Sequence, residues 1–194
     1  MMTRISKFAV CLFLSSFFLF TSCGKEEEMV ADPTIYERLG GSTLVTDPDN
    51  PGQQIEAGRL SYRKVVNTTI GLIVADITAG APGNFQAHFA PLLAETGATQ
   101  TTNIAKLSDN LTDFFSFNTG GTNAVNTYSG LNMVDSHDPA KNGRMGTKSS
   151  SADYDKFVGF VGAAAQQNGV AANTQLYTDI VAVLESLRAP IVQK

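Results

Sequence analysis

Residues 101–121 read TTNIAKLSDNLTDFFSFNTGG, and this stretch has the clearest structural signal in the chain. Its apolar side chains recur at the three- and four-residue spacing of one helical face. They are Ile104, Leu107, Leu111, Phe114 and Phe115. Gly120-Gly121 follow, and glycine commonly ends a helix because it accepts the left-handed conformation that the helix terminus needs. The pattern predicts an amphipathic helix.

The C-terminal part of the chain repeats this spacing in two further stretches. The first comprises Tyr154, Phe157, Val158, Val161 and Ala164, and the second Leu176, Ile180, Val183, Leu184 and Leu187. Asn168-Gly169 closes the first, and Pro190 is expected to stop the second because proline cannot donate the next helical hydrogen bond. A short connection separates the two, so we expect a packed antiparallel pair.

The segments before residue 101 are less regular. TIYERLGG reads as a short helix, with Asp32 as its cap, Pro33 in its first turn and Gly40-Gly41 as its end. Residues 41–58 are rich in proline and glycine and are expected to form a loop. Residues 60–78 are ambiguous, because β-branched residues favour a strand while the apolar positions have helical spacing. No other segment has a strand signal, so the predicted fold class is all-α.

The N-terminus has the features of a bacterial lipoprotein signal. Arg4 and Lys7 precede an apolar run over residues 8–20, which is shorter than the roughly 20 residues of a membrane-spanning helix. The run ends at Phe-Thr-Ser-Cys, which resembles a lipobox with Phe20 in place of the usual leucine. The prediction is a signal peptide over residues 1–22, a lipid on Cys23, an acidic tether over residues 23–32 and one domain over residues 33–194.

This organisation limits the partners. Removal of residues 1–22 takes away Arg4, Lys7 and no acid, so the formal charge changes from −4 to −6, which argues against nucleic acid. Cys11 leaves with the signal, so the mature chain has no pair of cysteines for an internal disulfide. The expected partner is the membrane, through the lipid anchor. Lys25 followed by acids resembles a surface-export signal of some bacterial phyla, which makes the outer membrane or the cell surface alternatives for an extracytoplasmic location.

Common catalytic motifs are absent from the sequence. It contains no GxxxxGK[ST], HExxH, CxxC or GxSxG pattern. Ser136-His137-Asp138 has the residue types of a catalytic triad, but adjacent side chains do not converge as nucleophile, base and orienter must. No catalytic residue is therefore assigned.

Four features in order carry a family resemblance: TIYERLGG, LSDNLTDFFSFNTGG, YSGLNM and then His137. Together they resemble the group I truncated haemoglobins, in which a Tyr-x-Gly-x-x-Met stretch leads into the haem-ligating histidine. Tyr128, Gly130, Met133 and His137 hold that spacing. The resemblance covers most of the mature chain, with gaps between Gly41 and Ile104, and implies a truncated globin-like helical sandwich with extra loops.

The resemblance implies a haem cofactor with His137 on the iron. An axial histidine coordinates through one neutral nitrogen while its other nitrogen donates to a carbonyl or carboxylate. The simpler alternative is a turn histidine that bonds nearby backbone. His88 is expected to be a surface or core residue rather than a second ligand. The other residues assigned to the haem pocket are Ile70, Phe89, Leu107, Leu111, Phe115, Tyr128 and Met133.

The sequence departs from the family on the side of the haem where gas binds. Family members often use a tyrosine and a glutamine there, whereas the matching positions are Ile70, Leu107 and Leu111, with Thr69 as the alternative if the register shifts by one residue. The loop after His137 adds Lys141, Arg144 and Lys148, as partners of haem propionates or as a solvated surface.

The expected function is reversible binding of a diatomic gas, oxygen or nitric oxide, by a haem protein. The enzyme alternative is nitric oxide dioxygenation or peroxidase-like chemistry with an external reductant. The remaining alternatives are haem carriage and a haem-free interaction lipoprotein. The sequence leaves the oligomeric state open.

Overall fold

Helices dominate the structure, a computed structural model that describes residues 31–95 and 97–194, with the backbone alone for residues 97–103. The elements run in the order α1 (Ile35–Arg38), β1 (Leu44–Thr46), β2 (Gln54–Glu56), α2 (Ala57–Ala79), α3 (Gln86–Leu93), α4 (Gly97–Asn118), α5 (Met133–Ser136), α6 (Ser151–Gln167), α7 (Gln175–Ser186) and α8 (Arg188–Ile191). The fold is therefore mostly helical, with a small two-stranded sheet.

The central helix α2 resolves the ambiguous segment of the sequence in favour of a helix. It packs against α4 on one side and α6 on another. Its buried side chains include Tyr62, Val66, Thr69 and Ile73, which follow one another at spacings of four, three and four residues. Burial against two neighbours overrides the preference of valine, isoleucine and threonine for strands, because that preference is a weak one.

The hairpin of β1 and β2 corrects the prediction of a loop over residues 41–58 and of an all-α fold. The strands pair antiparallel, with Val45 opposite Ile55. Ile55 is buried, and the Asp47 carboxylate after β1 pairs with the Arg63 guanidinium of α2 at 2.5 Å. Contacts with residues distant in the sequence therefore stabilise these short strands. Their own sequence predicted only turns.

The predicted helices over residues 101–121 and in the C-terminal region are confirmed as α4, α6 and α7. The Tyr154 hydroxyl near the start of α6 donates to the Leu184 carbonyl oxygen near the end of α7 at 2.5 Å. Gly162, further along α6, lies beside the ring of Tyr177 at the start of α7. The two helices are thus antiparallel, as predicted.

Two predicted helix boundaries are wrong in detail. The cap of α1 is Thr34 rather than Asp32, because the Thr34 hydroxyl accepts from the Glu37 amide at 3.2 Å while the Glu37 carboxylate accepts from the Thr34 amide at 2.7 Å. Pro190 does not stop α7, which ends at Ser186; it lies inside α8. Gly40 and Gly41, with φ of 115° and 55°, end α1 as expected.

Asp32–Lys194 form one compact unit. The predicted signal peptide, Cys23 and nearly all of the predicted tether lie outside the described residues. Within the described ranges, no helix combines the length and the apolar character that crossing a membrane requires.

Candidate functional site

His137 lies directly after the short helix α5, which is capped by Asn132. Its Nδ1 is 2.9 Å from the Met133 carbonyl oxygen and 3.0 Å from the Ser136 hydroxyl. A carbonyl oxygen can only accept, so Nδ1 carries the proton and donates to Met133. The tautomer that results has its lone pair on Nε2, and no described residue makes a hydrogen bond to that nitrogen.

The surroundings of His137 favour the neutral ring. Burial lowers the pKa of His137 below its usual value, and the neighbouring His88 lowers this pKa further, while the hydrogen bond to Met133 acts in the opposite direction. A metal ligand must be the neutral imidazole, so His137 is in the protonation state and the tautomer that ligation through Nε2 needs at neutral pH.

His88, the other histidine, is a core residue of α3. It is 5% exposed, its Nε2 lies 3.3 Å from the Asp153 carboxylate, and its ring meets the Phe85 ring edge-on. This is one of the two positions predicted for it. The Asp153 carboxylate also accepts from the Ser150 amide at the start of α6, so His88 helps to join α3 to α6.

Helix α4 buries its hydroxyl groups more completely than its leucines. Ser108, Thr112 and Ser116 are at most 8% exposed, whereas Leu107, Leu111 and Phe115 are only half-buried. The buried side faces α2: the Ser108 hydroxyl donates to the Asn67 side chain at 2.5 Å. Small side chains at intervals of four residues allow α2 and α4 to approach closely, and beside them the Phe115 ring of α4 stacks with the Tyr62 ring of α2 at 6.0 Å between centroids.

The remaining residues predicted for the pocket are also half-buried. They are Ile70 on α2, Phe89 on α3, Met133 at the start of α5 and Tyr128 in the connection before it. The Phe89 ring meets Phe85 edge-on at 6.2 Å between centroids. The Tyr128 hydroxyl donates to the Leu131 carbonyl oxygen at 2.8 Å, and its ring meets Phe114 edge-on at 5.2 Å.

An apolar cavity of about 50 Å³ lies between α1, α2, α4, α6 and α7. Of the residues predicted for the haem pocket, Leu111 and Phe115 line this cavity, and the other six do not. The cavity is too small for a porphyrin, since an apolar cavity of about 150 Å³ holds a single benzene. Sequence spacing had indicated Val161 as an apolar helix position, but not that it would line a cavity.

A second cavity, of about 390 Å³, is open to solvent and is bordered mostly by polar residues, and none of the residues predicted for the pocket lines it. It is bordered by Asp49, Asn50, Arg63, Asn67, Ile104, Ala105, Ser108 and Asp109. The predicted site residues are thus not gathered around either of these two cavities.

Two of the basic residues after His137, Arg144 and Lys148, have acidic partners on the protein surface. The Arg144 Nε lies 3.2 Å from the Glu95 carboxylate, and the Lys148 ammonium lies 3.9 Å from Asp138. Lys141 is exposed. These surface pairs are worth little in stability and are easily exchanged for another anion.

The described residues contain no group of three histidine, cysteine, aspartate or glutamate side chains arranged to hold a metal ion. Iron in a porphyrin needs only an axial ligand from the protein, because the macrocycle supplies the other donors. A single histidine such as His137 is therefore a sufficient donor set for haem, though not for a free metal ion.

Comparison of the chain with family models, with curated proteins and with solved structures found no match in any of the three. The functional argument therefore depends on the residues of the site.

Proposed function

We propose that this chain is a haem-binding protein of the truncated-globin type that reversibly binds a diatomic gas, oxygen or nitric oxide, outside the cytoplasm. The observation that carries the proposal is the hydrogen bonding of His137. Its Nδ1 donates to the Met133 carbonyl oxygen and lies beside the Ser136 hydroxyl, which leaves Nε2 with its lone pair. Such an arrangement orients an imidazole and strengthens it as a ligand.

Different residues of the chain would bind the iron and orient its ligand. His137 would coordinate the iron, while Met133 and Ser136 would hold its ring in one orientation and one tautomer. When bound, haem supplies the iron centre at which a diatomic gas is taken up and released. The lowered pKa of His137 would keep the ring neutral and available to the iron below the pH at which an exposed histidine becomes protonated.

The half-buried apolar side chains support a flat apolar ligand. Leu107, Leu111 and Phe115 project from α4 without being fully covered by the described residues. Covering such surface is favourable by about 25 cal/mol for each Å² removed from water. Leu107, Phe89 and Ile70 would pack against the macrocycle, whereas Leu111 and Phe115 line the small internal cavity and would reach the ligand only if that cavity opened. Tyr128 and Met133 would position the segment that carries His137.

The side of the pocket where gas would bind offers no strong hydrogen-bond donor. Ile70, Leu107 and Leu111 are apolar, and the Thr69 hydroxyl already donates to the Val65 carbonyl oxygen at 2.9 Å. Without a donor, a partly negative bound oxygen would not be stabilised. This favours weak, reversible binding over tight oxygen storage.

Two other classes of function compete with gas binding. Nitric oxide dioxygenation or a peroxidase-like reaction needs an electron donor, and nothing in the sequence resembles a flavin or nicotinamide domain. Haem carriage would use the same His137, and a haem-free interaction lipoprotein would not use it. The predicted lipid on Cys23 would hold any of these at a bacterial membrane, with the outer membrane or the cell surface as alternatives.

A titration of the purified protein with hemin tests the proposal. We expect a Soret band to develop at one hemin per chain, because His137 provides a preoriented ligand. Loss of an outer hydrogen-bonding partner alone costs about 10- to 100-fold in metal affinity, so His137→Gly should weaken hemin binding by about 100-fold or more. Imidazole added to His137→Gly should restore the band.

Glu185→Ala serves as the control, since the Glu185 side chain is 43% exposed and pairs with Arg188 on the surface, away from the residues assigned to the pocket. It should bind hemin as the wild-type protein does. The haem proposal fails if the wild-type protein produces no Soret band, or if His137→Gly without imidazole gives the same spectrum. If haem is bound, nitric oxide consumption that turns over with an external reductant would favour the enzyme over the gas carrier.

A further inference from the structure

Helix α5, which supplies the Met133 carbonyl to His137, is not held in place by burial of its own side chains. It has four residues, and none of them is buried. Val134, in the middle of this turn, is 50% exposed. A single helical turn is unstable in isolation, because forming it fixes several backbone angles for one hydrogen bond. The orientation of the carbonyl groups of α5 therefore depends on hydrogen bonds from other parts of the chain.

One such bond comes from Gln193, which lies 59 residues beyond Val134 in the sequence. The Gln193 side-chain amide donates to the Val134 carbonyl oxygen at 2.8 Å. The His137 backbone amide donates to the same oxygen at 3.3 Å, and a carbonyl oxygen has two lone pairs with which to accept both bonds. The peptide unit that contains this oxygen directly follows the one that contains the Met133 carbonyl. Gln193 therefore holds the backbone next to the group that orients the His137 ring.

The backbone at Gln193 is itself attached to the main body of the fold. Its amide donates to the Ser149 carbonyl oxygen at 2.9 Å, and Val192 forms a parallel bridge with Ser149. Ser149 is 8% exposed and directly precedes Ser150, the cap of α6. Ile191, at the end of α8, is 7% exposed. Gln193 thus connects α5 to the start of α6.

The side chain of Gln193 is held in one conformation by a second acceptor. Its amide nitrogen carries two N–H groups and also donates to the Pro190 carbonyl oxygen at 3.2 Å. The side chain therefore bridges α8 and α5. A single hydrogen bond contributes little to the stability of a whole domain, so loss of this bridge should change the local geometry of α5 much more than the global stability.

We propose that Gln193 is a positioning residue for His137, which fixes the backbone of α5 so that the Met133 carbonyl accepts from Nδ1 and the lone pair stays on Nε2. Without Gln193 the peptide unit of Val134 can rotate, and the adjoining Met133 carbonyl rotates with it. An imidazole without such an acceptor carries its proton mainly on Nε2, which leaves no lone pair there for a metal. The consequence for haem rests on the proposed function, whereas the effect on the imidazole does not.

Nitrogen-15 NMR of the histidine rings in the haem-free protein tests the proposal, because a protonated and an unprotonated ring nitrogen have different chemical shifts. Spectra are recorded well above the pKa of an ordinary histidine, where the ring is neutral. The signals that His137→Gly lacks belong to His137, and in the wild-type protein they should show the proton on Nδ1. Gln193→Met keeps the length of the side chain without a donor or a charge, so it should convert much of His137 to the Nε2–H tautomer. Gln193→Lys restores a donor and should restore the wild-type tautomer.

Gln166→Met is the matched control, because the Gln166 side-chain amide also donates to a carbonyl oxygen, that of Gly162 at 3.3 Å within α6. It should leave the His137 signals unchanged. If Gln193→Met does not fold, Gln193→Asn decides in its place, since its side chain is one methylene too short to reach Val134. A variant without the Gln193 donor that keeps the wild-type tautomer overturns the proposal, and so does an equal change in Gln166→Met.

A hemin titration of the same variants separates this proposal from the proposed function. Loss of an outer hydrogen-bonding partner costs about 10- to 100-fold in metal affinity, and Gln193 acts one residue further from the iron. Gln193→Met should therefore bind hemin about 10-fold more weakly, and Gln193→Lys as the wild-type protein does. If the wild-type protein binds no hemin, the proposed function fails, while the tautomer still decides the role of Gln193. A changed tautomer with unchanged hemin affinity overturns the role of Gln193 in positioning His137 for ligation.

Discussion

Glu56→Ala is expected to lower the free energy of unfolding by about 3–5 kcal/mol, because it leaves buried donors without their acceptor at about 1–3 kcal/mol each. The Glu56 carboxylate accepts from the Tyr36 hydroxyl, from the Asn126 amide at 2.7 Å and from the Asn123 amide at 2.8 Å. Tyr36 and Asn126 are at most 1% exposed, so water cannot replace the lost acceptor there. The expected total is less than three full penalties, because Asn126 can still donate to Asn123 at 3.1 Å.

Urea denaturation at neutral pH measures this effect. Glu185→Ala is the matched control, since the Glu185 side chain is 43% exposed and pairs with Arg188 on the surface. It should change stability by about 0.5 kcal/mol or less. If both variants lose the same amount, the cluster around Glu56 does not stabilise the fold.

The dependence of stability on acidic pH is a second test of the contribution of the Glu56 carboxylate. Because the hydrogen bonds lower the folded-state pKa of Glu56, its contribution is complete above the pKa of an unfolded glutamate. The contribution is lost as the pH falls through the folded value. The wild-type protein should therefore lose stability on acidification more steeply than Glu56→Gln, and equal slopes would contradict this.

The sequence was sufficient for the helices with local patterns. In α4, α6 and α7 the apolar spacing repeats over three or more turns, and a glycine marks the end of the first two. These signals lie within each helix, so they can be recognised without knowing which other elements pack against it. Residues 60–78 had helical spacing as well, but their β-branched composition contradicted it, and only the packing of α2 against α4 and α6 resolves the conflict.

The hairpin could not be predicted because its determinants are distant in the sequence. Each strand has three residues, too few for a period of two to emerge from a proline-rich segment. Glu56 is hydrogen-bonded to Tyr36 and Asn126, which lie 20 and 70 residues away from it along the chain. No local pattern in the chain joins a tyrosine, a glutamate and an asparagine at such separations.

For the candidate site, the sequence predicted His137, and the structure adds the hydrogen bonds and the tautomer of that residue. The spacing of Tyr128, Gly130 and Met133 drew attention to His137, yet the tautomer depends on where the Met133 carbonyl points, which is a property of the backbone of α5. The sequence also could not show that Leu107 and Leu111 are only half-buried. Helical spacing shows that they share a face with Phe115, whereas the exposure of that face depends on which side of α4 lies against α2.

Gly146→Ala is expected to be the most damaging single methyl addition in the loop that follows His137. A Cβ at this position would overlap the Ala87 carbonyl oxygen and would lie 3.2 Å from the Pro91 ring, both in α3. The first of these neighbours is backbone, so no rotation of a side chain can relieve the overlap. The Gly146 amide also donates to the His88 carbonyl oxygen at 2.9 Å, and a shift of the loop would stretch this bond.

Gly146→Ala should lower the free energy of unfolding by about 2–4 kcal/mol, because the backbone of α3 or of the loop must move. This is at or above the usual range for adding a group to a well-packed site. Gly143→Ala in the same loop is the control, since a Cβ there meets nothing within 4 Å and its φ is not in the left-handed region. It should change the stability by about 0.5 kcal/mol or less. Urea denaturation of the two variants provides the comparison.

The same pair of variants connects the loop to the proposed haem site. Helix α3 carries Phe89, so its displacement by Gly146→Ala should weaken hemin binding, while Gly143→Ala should bind as the wild-type protein does. A Gly146→Ala protein that is as stable as Gly143→Ala would show that α3 and the loop are not in contact. If Gly146→Ala is destabilised but binds hemin with unchanged affinity, Phe89 is not part of the proposed pocket. In that case α3, which carries Phe89, would have moved without any effect on hemin binding.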